Sequence, residues 1–263
     1  MHIIVCIKQV PDTTNVRINP ETNTLMREGV ESILNPFDEY ALEEALRLKD
    51  AHGARVTVVT MGPPQADVVL REAMARGADD GLLLTDRAFA GADTLATSYT
   101  LAQAIRKISA RPDLVLFGKQ AIDGDTAQVG PGVSEFLNFA LVTYVKALSV
   151  SGDRFTAETM MDDGVDVVEG KLPAVMTVVK EASTPRFATL SGWMGSKKAD
   201  IPRWGSKEIG AAAEDCGLNG SPTKVVKIFA PPSKTGGLRM DGREEPSAAI
   251  EAIFKMMQDR GFA

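Results

Sequence analysis

Short apolar runs alternate with amphipathic stretches through the first half of the chain. Four runs rich in Val, Ile and Leu are typical of strands buried on both faces of a sheet, and they span residues 2–7, 55–61, 81–84 and 113–117. The spacing of the apolar residues predicts helices over residues 36–52, 65–76, 93–109 and 126–138. Because strands that alternate with helices form right-handed βαβ units, the pattern predicts an α/β fold with a mostly parallel sheet.

The helix expected at residue 36 has a well-marked start. Asn35 is a favoured N-cap residue, and Pro36 suits the first helical position. Asp38 and Glu39 place negative charge in the first turn, where the helix dipole favours it. We therefore expect Asn35 to cap this helix, and we expect Gly53 to end it.

The pattern changes near residue 140. Four strand-like segments follow one another without an intervening helix, at residues 142–150, 153–161, 164–169 and 173–180. Turn residues separate the first three, which is typical of antiparallel hairpins. This half of the body is predicted to be an antiparallel meander that extends the parallel sheet.

The last third of the chain has less regular patterning. Residues 183–222 are rich in Ser, Gly, Lys and Pro and carry no convincing periodicity, and a short strand is expected at 224–229. A final helix carries an apolar stripe of Ile250, Ile253, Phe254 and Met257. We expect an α/β nucleotide-binding body over 1–182, a linker over 183–222 and an arm over 223–263 that packs on another chain.

Composition excludes several classes of protein. The 263 residues carry a net charge of −6, which argues against nucleic acid as the main partner. Two cysteines and two histidines are too few for a disulfide framework or a thiolate or histidine metal cluster. The chain has no membrane-spanning apolar run and no signal-peptide pattern, so we expect a cytoplasmic protein.

One loop stands out as a candidate ligand site. Residues 118–132 read GKQAIDGDTAQVGPG and join a buried strand to a helix, where open α/β sheets bind their ligands. The segment is neither a P-loop nor a Rossmann fingerprint. The alternative is an ordinary capped loop with Asp123 and Asp125 as capping acids. These two acids would repel a phosphate unless they face elsewhere.

Topology extends this candidate site. If the strand at 2–7 lies beside the strand at 113–117, the switch point of the sheet falls between them. The segment 8–11 then forms the opposite wall, with Asn35 and the turn at 62–63 completing the rim. Lys8 is a candidate phosphate partner, or else a solvated strand end. We predict no catalytic residue and no metal ligand, so redox chemistry would need a bound cofactor.

The residues resemble the β subunit of electron-transfer flavoproteins over nearly the whole chain. The resemblance rests on VCIKQVPD at 5–12, NPFDEYALEEALRLK at 35–49, MGP at 61–63, GAD at 77–79, GKQAIDGDTAQVG at 118–130, KLPAV at 171–175 and PRFATL at 185–190. The combination of these segments, in this order, is highly specific.

This resemblance implies a three-layer, adenine nucleotide hydrolase-like fold and a heterodimer whose α subunit carries one FAD. The β subunit of the family holds a second nucleotide, AMP in ordinary members and FAD in electron-bifurcating members. Together with the residues picked by topology, the predicted cofactor-binding set is Cys6, Lys8, Val10, Asn35, Pro36, Phe37, Asp38, Met61, Gly62, Gly118, Lys119, Gln120, Ala121, Ile122, Asp123, Gly124, Asp125, Thr126, Ala127, Gln128 and Val129.

The resemblance also implies partner surfaces. The family's recognition loop corresponds to residues 185–198, with Leu190, expected in a loop, as the residue that anchors an acyl-CoA dehydrogenase-like flavoenzyme. Residues 191–196 depart from the usual family sequence. The arm at 223–263 would pack on the α subunit.

The amino-acid sequence of the 123–129 loop resembles that of the bifurcating subgroup. That implies FAD in this chain, electrons from NADH, and ferredoxin or flavodoxin as a further carrier, with Arg17 near the flavin ring. The alternative is an ordinary electron carrier whose β subunit holds AMP with a structural role. A more distant alternative is a standalone ATP-binding or ATP-hydrolysing module, and its only support is the ATP pyrophosphatase-like sequence at 235–238.

Overall fold

The computed structural model describes residues 1–12, 17–18, 25–26, 32–226 and 238–262, with backbone only for residues 17–18 and 25–26. The strands are β1 (His2–Cys6), β2 (Gln9–Pro11), β3 (Arg17–Ile18), β4 (Leu25–Met26), β5 (Ser32–Leu34), β6 (Arg55–Met61), β7 (Asp80–Leu84), β8 (Leu114–Gly118), β9 (Ala140–Ser151), β10 (Arg154–Met160), β11 (Val165–Lys171), β12 (Ala174–Val178) and β13 (Arg203–Trp204). The helices are α1 (Pro36–His52), α2 (Asp67–Arg76), α3 (Thr94–Ile108), α4 (Val129–Leu137), α5 (Leu190–Lys198) and α6 (Pro246–Asp259).

The body is built on a nine-stranded sheet in the order β11-β10-β9-β12-β8-β1-β6-β7-β13. All neighbours from β9 to β13 in this order run parallel, which confirms the predicted mostly parallel sheet. Leu42 and Leu70 of α1 and α2 pack in one core, and Leu101 and Val133 of α3 and α4 pack in the other. The fold therefore has three layers, as expected from alternating strands and helices.

Local sequence signals set the end of α1 and the start of α3. Gly53 adopts a left-handed φ of 65° and its N–H donates to the carbonyl of Lys49, so it ends α1 as predicted. Asp93 caps α3 by accepting hydrogen bonds from the N–H groups of Leu95 and Ala96. Both helix ends could be predicted from the sequence, because each depends only on residues that are close together in the chain.

The antiparallel extension is confirmed in part. The strands β9, β10 and β11 form the expected meander. The fourth segment, β12, instead lies between β8 and β9 and is parallel to both, with all five of its residues buried. The prediction that this fourth segment belongs to the antiparallel meander was wrong. An all-apolar strand is more stable at the centre of the sheet, because both of its faces are covered there.

The segment after residue 183 is more regular than its sequence suggested. It contains α5, and β13 pairs parallel with β7 at the edge of the sheet. Periodicity missed α5 because the helix is short, contains two glycines and buries only Ser196. Residues 224–226, the described part of the strand expected at 224–229, are irregular. The 235–237 part of the ATP pyrophosphatase-like sequence lies outside the described residues.

The chain divides into two compact units, residues 1–227 and 228–263. The second unit contains α6, which confirms the predicted final helix, and none of the residues of α6 is buried. The boundaries predicted at residues 182 and 222 stay predictions. Among the described residues, no helix combines the length and apolar character needed to cross a membrane.

Candidate functional site

The predicted switch point lies between β1 and β8. These two strands are parallel neighbours, with Cys6 opposite Phe117 at their carboxyl ends. From β1 the chain crosses first to β6 on one side and later to β8 on the other, so the connections leave a crevice at this edge. The topological condition on which the site depended is therefore met.

Asp38 joins the two strand ends. Its Oδ2 accepts the N–H of Lys8 at 2.7 Å, and its Oδ1 accepts the N–H of Gly118 at 3.2 Å. Its side chain is buried, and burial raises the pKa of the carboxyl to about 7, against the opposing effect of its hydrogen bonds and of the Lys8 charge. Asp38 is thus a buried clamp across the crevice, in addition to being an acid in the first turn of α1.

Gly118 is required by this clamp. A Cβ at this position would lie 2.5 Å from Oδ1 of Asp38 and 2.5 Å from the carbonyl carbon of Phe37. The backbone of β8 can approach the start of α1 this closely only without a side chain. The glycine that opens the candidate loop therefore serves packing within the chain.

Asn35 holds the loop that follows β8. It occupies the predicted N-cap position of α1, which is confirmed, but its side chain makes no capping hydrogen bond. Its Nδ2 donates to the carbonyl of Gln120 at 2.8 Å, and its Oδ1 accepts the N–H of Ile122 at 3.2 Å. The side chain is buried, and it is committed to fixing the shape of the ligand loop.

The two acids of the loop are paired within the chain. Nζ of Lys8 lies 2.7 Å from both carboxylate oxygens of Asp123. Asp125 accepts a hydrogen bond from Nε2 of Gln120. The charge of Lys8 offsets that of Asp123, which removes the repulsion expected from this acid towards a phosphate, whereas Asp125 is bonded to a neutral amide and keeps its charge. Lys8 is therefore a partner of Asp123 rather than an unpaired strand-end cation.

The tip of the loop is exposed and conformationally unusual. Asp125 and Ala127 both adopt left-handed backbone angles, with φ of 52° and 55°. Gly124 does not, and a Cβ there would have no heavy atom within 4 Å. The helix after the loop begins at Val129, three residues later than predicted, and Gln128 does not cap it with its side chain. The loop is thus longer and more open than the sequence suggested.

The other predicted cofactor-binding residues lie around the crevice between β1 and β8, and some are buried while others are exposed. Cys6 and Val10 are buried, and burial raises the pKa of the Cys6 thiol. Met61 and Gly62 lie one strand away, at the end of β6, where the N–H of Gly62 donates to the carbonyl of Leu84. Their role in binding stays a prediction, as does that of the more exposed positions Pro36, Ala121 and Thr126. The side chain of Arg17, expected near the flavin ring, lies outside the described residues.

A groove that sequence reasoning missed adjoins the predicted residues Phe37 and Lys119. Its volume is about 610 Å³, and it is also lined by Tyr144, Met160, Met161, Asp162, Val179, Lys180 and Glu181. Tyr144 lies in an irregular part of β9 with a left-handed φ of 56°, and Nζ of Lys119 lies 5.4 Å from the centre of its ring. The sequence offered no signal for this, because a bulge inside a predicted strand leaves no mark in its hydrophobic pattern.

The predicted recognition segment presents apolar side chains to solvent. Phe187 is 94% exposed and Leu190 is 74% exposed. Leu190 is the first residue of α5, capped by Thr189, and not a loop residue as expected. Trp193 and Met194 are also exposed on this helix. The group Phe187, Leu190, Trp193 and Met194 is called the docking patch below.

Comparison with known proteins gives a consistent family. Residues 22–209 match the model of the electron transfer flavoprotein domain. The chain is 50% identical over 259 residues to an electron transfer flavoprotein subunit beta of Clostridium acetobutylicum, covering 98% of this chain and 99% of that protein. It is 48% identical over 259 residues to the caffeyl-CoA reductase-Etf complex subunit CarD of Acetobacterium woodii, covering 98% of both. It is 45% identical to the protein FixA of Sinorhizobium fredii, covering 98% of this chain and 90% of that protein.

Proposed function

The chain belongs to the electron transfer flavoprotein family as a β subunit, and from that premise we propose that it binds FAD at the β1–β8 switch point and passes electrons as part of a heterodimer. The proposed electron sources are NADH or a flavin dehydrogenase of the acyl-CoA dehydrogenase type. The proposed mode is flavin-based bifurcation, with ferredoxin or flavodoxin as a second acceptor. The exposed loop tip at 123–128 is the observation that carries the choice of FAD.

The residues at this edge fit a nucleotide. Asn35 and Asp38 hold the backbone of the crevice, so a ligand would meet a site that is already shaped. Asp123 and Asp125 are engaged by Lys8 and Gln120, and the uncapped start of α4 offers backbone N–H groups to a phosphate. The open space beside Gly124 leaves a path for a ligand longer than AMP.

Bound FAD would supply the redox chemistry, because it can take up and release electrons one or two at a time. The protein's own contribution would be to position it. The hydrogen bonds of Asn35 to Gln120 and Ile122 would fix the loop under the ligand, and the apolar core around Cys6 and Phe117 would exclude water from beneath it. No described residue is needed as a nucleophile or a general base.

The partner surfaces support the same proposal. The docking patch is apolar and exposed, as an anchor for a dehydrogenase should be. Helix α6 leaves Ile250, Ile253, Phe254 and Met257 exposed, and this stripe would be covered by the α subunit. The name of the Acetobacterium woodii relative places it in a complex with a CoA-thioester reductase, which is consistent with a partner of the acyl-CoA dehydrogenase type.

The test is the nucleotide content of the co-expressed heterodimer. We expect about two FAD per heterodimer, no AMP, and flavin reduction on addition of NADH, as cofactor chemistry in this chain requires. One FAD with one AMP and no reaction with NADH would establish the ordinary carrier instead. Turnover of ATP by the isolated chain would point to the standalone module.

A substitution at Gly124 makes this test specific. A Cβ at Gly124 has no atom within 4 Å apart from its chain neighbours, so Gly124→Asp causes no steric clash within the chain. The charge that it adds beside Asp125 is matched in the control described below, where the new carboxylate stands beside Asp163. We expect the flavin ratio to fall from about two towards about one, because the backbone could no longer approach the ligand closely. Gly164→Asp is the matched control, since Gly164 is equally free of neighbours and lies in the β10–β11 turn.

A further inference from the structure

The second half of α1 carries a buried carboxylate that the proposed nucleotide site does not use. Glu43 is 6% exposed, although it lies within a helix whose other face packs on the sheet. A buried carboxylate is costly unless it is paired and hydrogen-bonded. Its partner comes from a segment 143 residues away in sequence.

That partner is Arg186. Its backbone N–H donates to Oε2 of Glu43 at 3.0 Å, and its Nη2 donates to Oε1 at 2.9 Å. Nε of Arg186 lies within 3.1 Å of both oxygens, so the guanidinium and the carboxylate meet along their edges. Nη2 also reaches Oδ2 of Asp50 at 2.9 Å. These hydrogen bonds raise the pKa of Arg186, which stays charged under all working conditions.

The position of this ion pair in the chain gives it a consequence. Phe187 follows Arg186 directly, and α5 begins at Leu190, only four residues after Arg186. A second attachment lies within α5, where the missing side chain of Gly192 lets the helix approach the carbonyl oxygen of Ala75. At the other end of α5, Nη1 of Arg71 donates to the carbonyls of Ser196 at 2.7 Å and Ala199 at 3.2 Å. The docking patch is therefore carried between the Arg186 anchor before α5 and the contacts of α5 with α2.

The same helix serves both functional regions. The N-terminal residues of α1 hold the nucleotide crevice through Asn35 and Asp38, and Glu43 lies eight residues after Asn35. At 1.5 Å per residue this is roughly 12 Å along the helix axis. A rigid helix of this kind fixes the distance between a bound nucleotide and a docked partner.

We propose that Glu43 and Arg186 are positioning residues for partner docking: their ion pair holds the docking patch in a fixed place relative to the nucleotide site. The inference rests on the proposed function, because it takes the patch to be the surface that meets the dehydrogenase. The pair itself touches neither the partner nor the nucleotide. It acts through the segment that it holds.

The test uses the intact heterodimer with Arg186→Met, Glu43→Gln and the double variant. The probe is the purified acyl-CoA dehydrogenase, from a small panel reduced by acyl-CoA, that the unaltered heterodimer oxidises most efficiently. We expect KM for this dehydrogenase to rise roughly tenfold in each single variant, equivalent to about 1.4 kcal/mol of binding, while kcat changes by less than about twofold. The double variant should be no worse than Arg186→Met, because that substitution already removes the side-chain contacts of Arg186 with both Glu43 and Asp50.

A structural readout separates positioning from general damage. Hydrogen exchange should become faster in residues 186–198 of the variants and stay unchanged in α3, with the flavin content unaltered. Lys146→Gln is the control, because Lys146 forms a partly exposed ion pair with Glu158 between β9 and β10, on neither α1 nor the segment that carries the patch. If Arg186→Met fails to assemble, the isosteric Glu43→Gln alone decides the matter.

The outcomes distinguish two failures. If Leu190→Ala raises KM and the Glu43 and Arg186 variants leave both KM and exchange unchanged, the positioning inference is wrong and docking at the patch stands. An unchanged KM in Leu190→Ala overturns docking at the patch, and the inference with it. Additive KM effects in the double variant would also overturn the inference, because they would mean that the two residues act separately.

Discussion

The crevice between β1 and β8 and the docking patch are both held in place by buried polar side chains, but they present opposite surfaces. At the crevice, Asn35 and Asp38 hold backbone groups from inside, and the loop offers peptide groups and small or polar side chains to solvent. At the patch, Glu43 and Arg186 hold the segment, and Phe187 and Leu190 are offered instead.

This difference indicates what each region is built to meet. A polar ligand such as a nucleotide is recognised by directional hydrogen bonds, which need a backbone fixed before binding. A protein partner is bound mainly by burying apolar anchors, which need only to be presented in the right place. Substitutions should therefore harm the crevice through stability and shape, and the patch through partner affinity.

The largest expected effect is at the crevice. Gly118→Val should destabilise the chain by more than about 4 kcal/mol, because its side chain would collide with Asp38 and with the backbone of α1. Thermal unfolding of the nucleotide-free protein measures this. Gly124→Val, in the same loop but with no neighbour within 4 Å, should change stability by less than about 0.5 kcal/mol. Equal effects of the two substitutions would contradict the clamp.

The contrast also explains what could be predicted from the sequence. Strand and helix positions in the body followed from local periodicity and capping, as for α3 after Asp93. The switch point followed from topology. The roles of Asn35 and Asp38 could not be predicted in this way. Both residue types are favoured at helix starts for local reasons, and only the folded chain brings Gln120 close to Asn35 and Gly118 close to Asp38. Helix α5 was missed because it packs through a glycine rather than an apolar stripe.

The second prediction concerns the pH dependence of stability. Asp38 has a pKa of about 7 in the fold against 3.8 when unfolded, so the folded state binds more protons between these values. Stability should therefore fall as pH rises from about 5 to about 7, by at most about 1.4 kcal/mol per pH unit for this group. The raised pKa of Glu44 acts in the same direction. Burial lowers the pKa of His2 from 6.5, which acts within this range with the opposite sign and makes the net slope shallower. The lowered pKa values of Asp86, Asp93 and Glu208 also have the opposite sign but act below this range.

Asp38→Asn isolates this effect. The variant should show a flatter dependence of the unfolding free energy on pH between 5 and 7 than the unaltered chain, measured by denaturant titration. Asp86→Asn is the control, since hydrogen bonds lower the pKa of Asp86 below 3.8 and its effect therefore lies outside this pH range. A slope that survives in Asp38→Asn would mean that another group is responsible.

The third prediction concerns the patch. Leu190→Ala should lower the efficiency of electron transfer with the dehydrogenase by roughly 30-fold, because a buried interface anchor contributes about 2 kcal/mol. Its free energy of unfolding should hardly change, since the side chain is 74% exposed. Leu95→Ala is the matched control, because Leu95 is also an exposed leucine in the first turn of a helix. A large loss of stability with normal coupling would make Leu190 a structural residue.

The smallest expected effects are gains in stability. In the crevice loop the gain comes from introducing a glycine, and in α5 it comes from replacing one. Ala127 holds a left-handed φ of 55° in the crevice loop, so Ala127→Gly should relieve strain and stabilise the chain by about 0.5 kcal/mol. Gly195 lies inside α5 with no atom near its missing Cβ, so Gly195→Ala should stabilise by about 0.5–1 kcal/mol. Reversal of either sign in thermal unfolding would contradict the backbone geometry of that region. If the strain at Ala127 also serves ligand binding, Ala127→Gly should raise stability while weakening nucleotide retention, whereas Gly195→Ala should leave nucleotide retention unchanged.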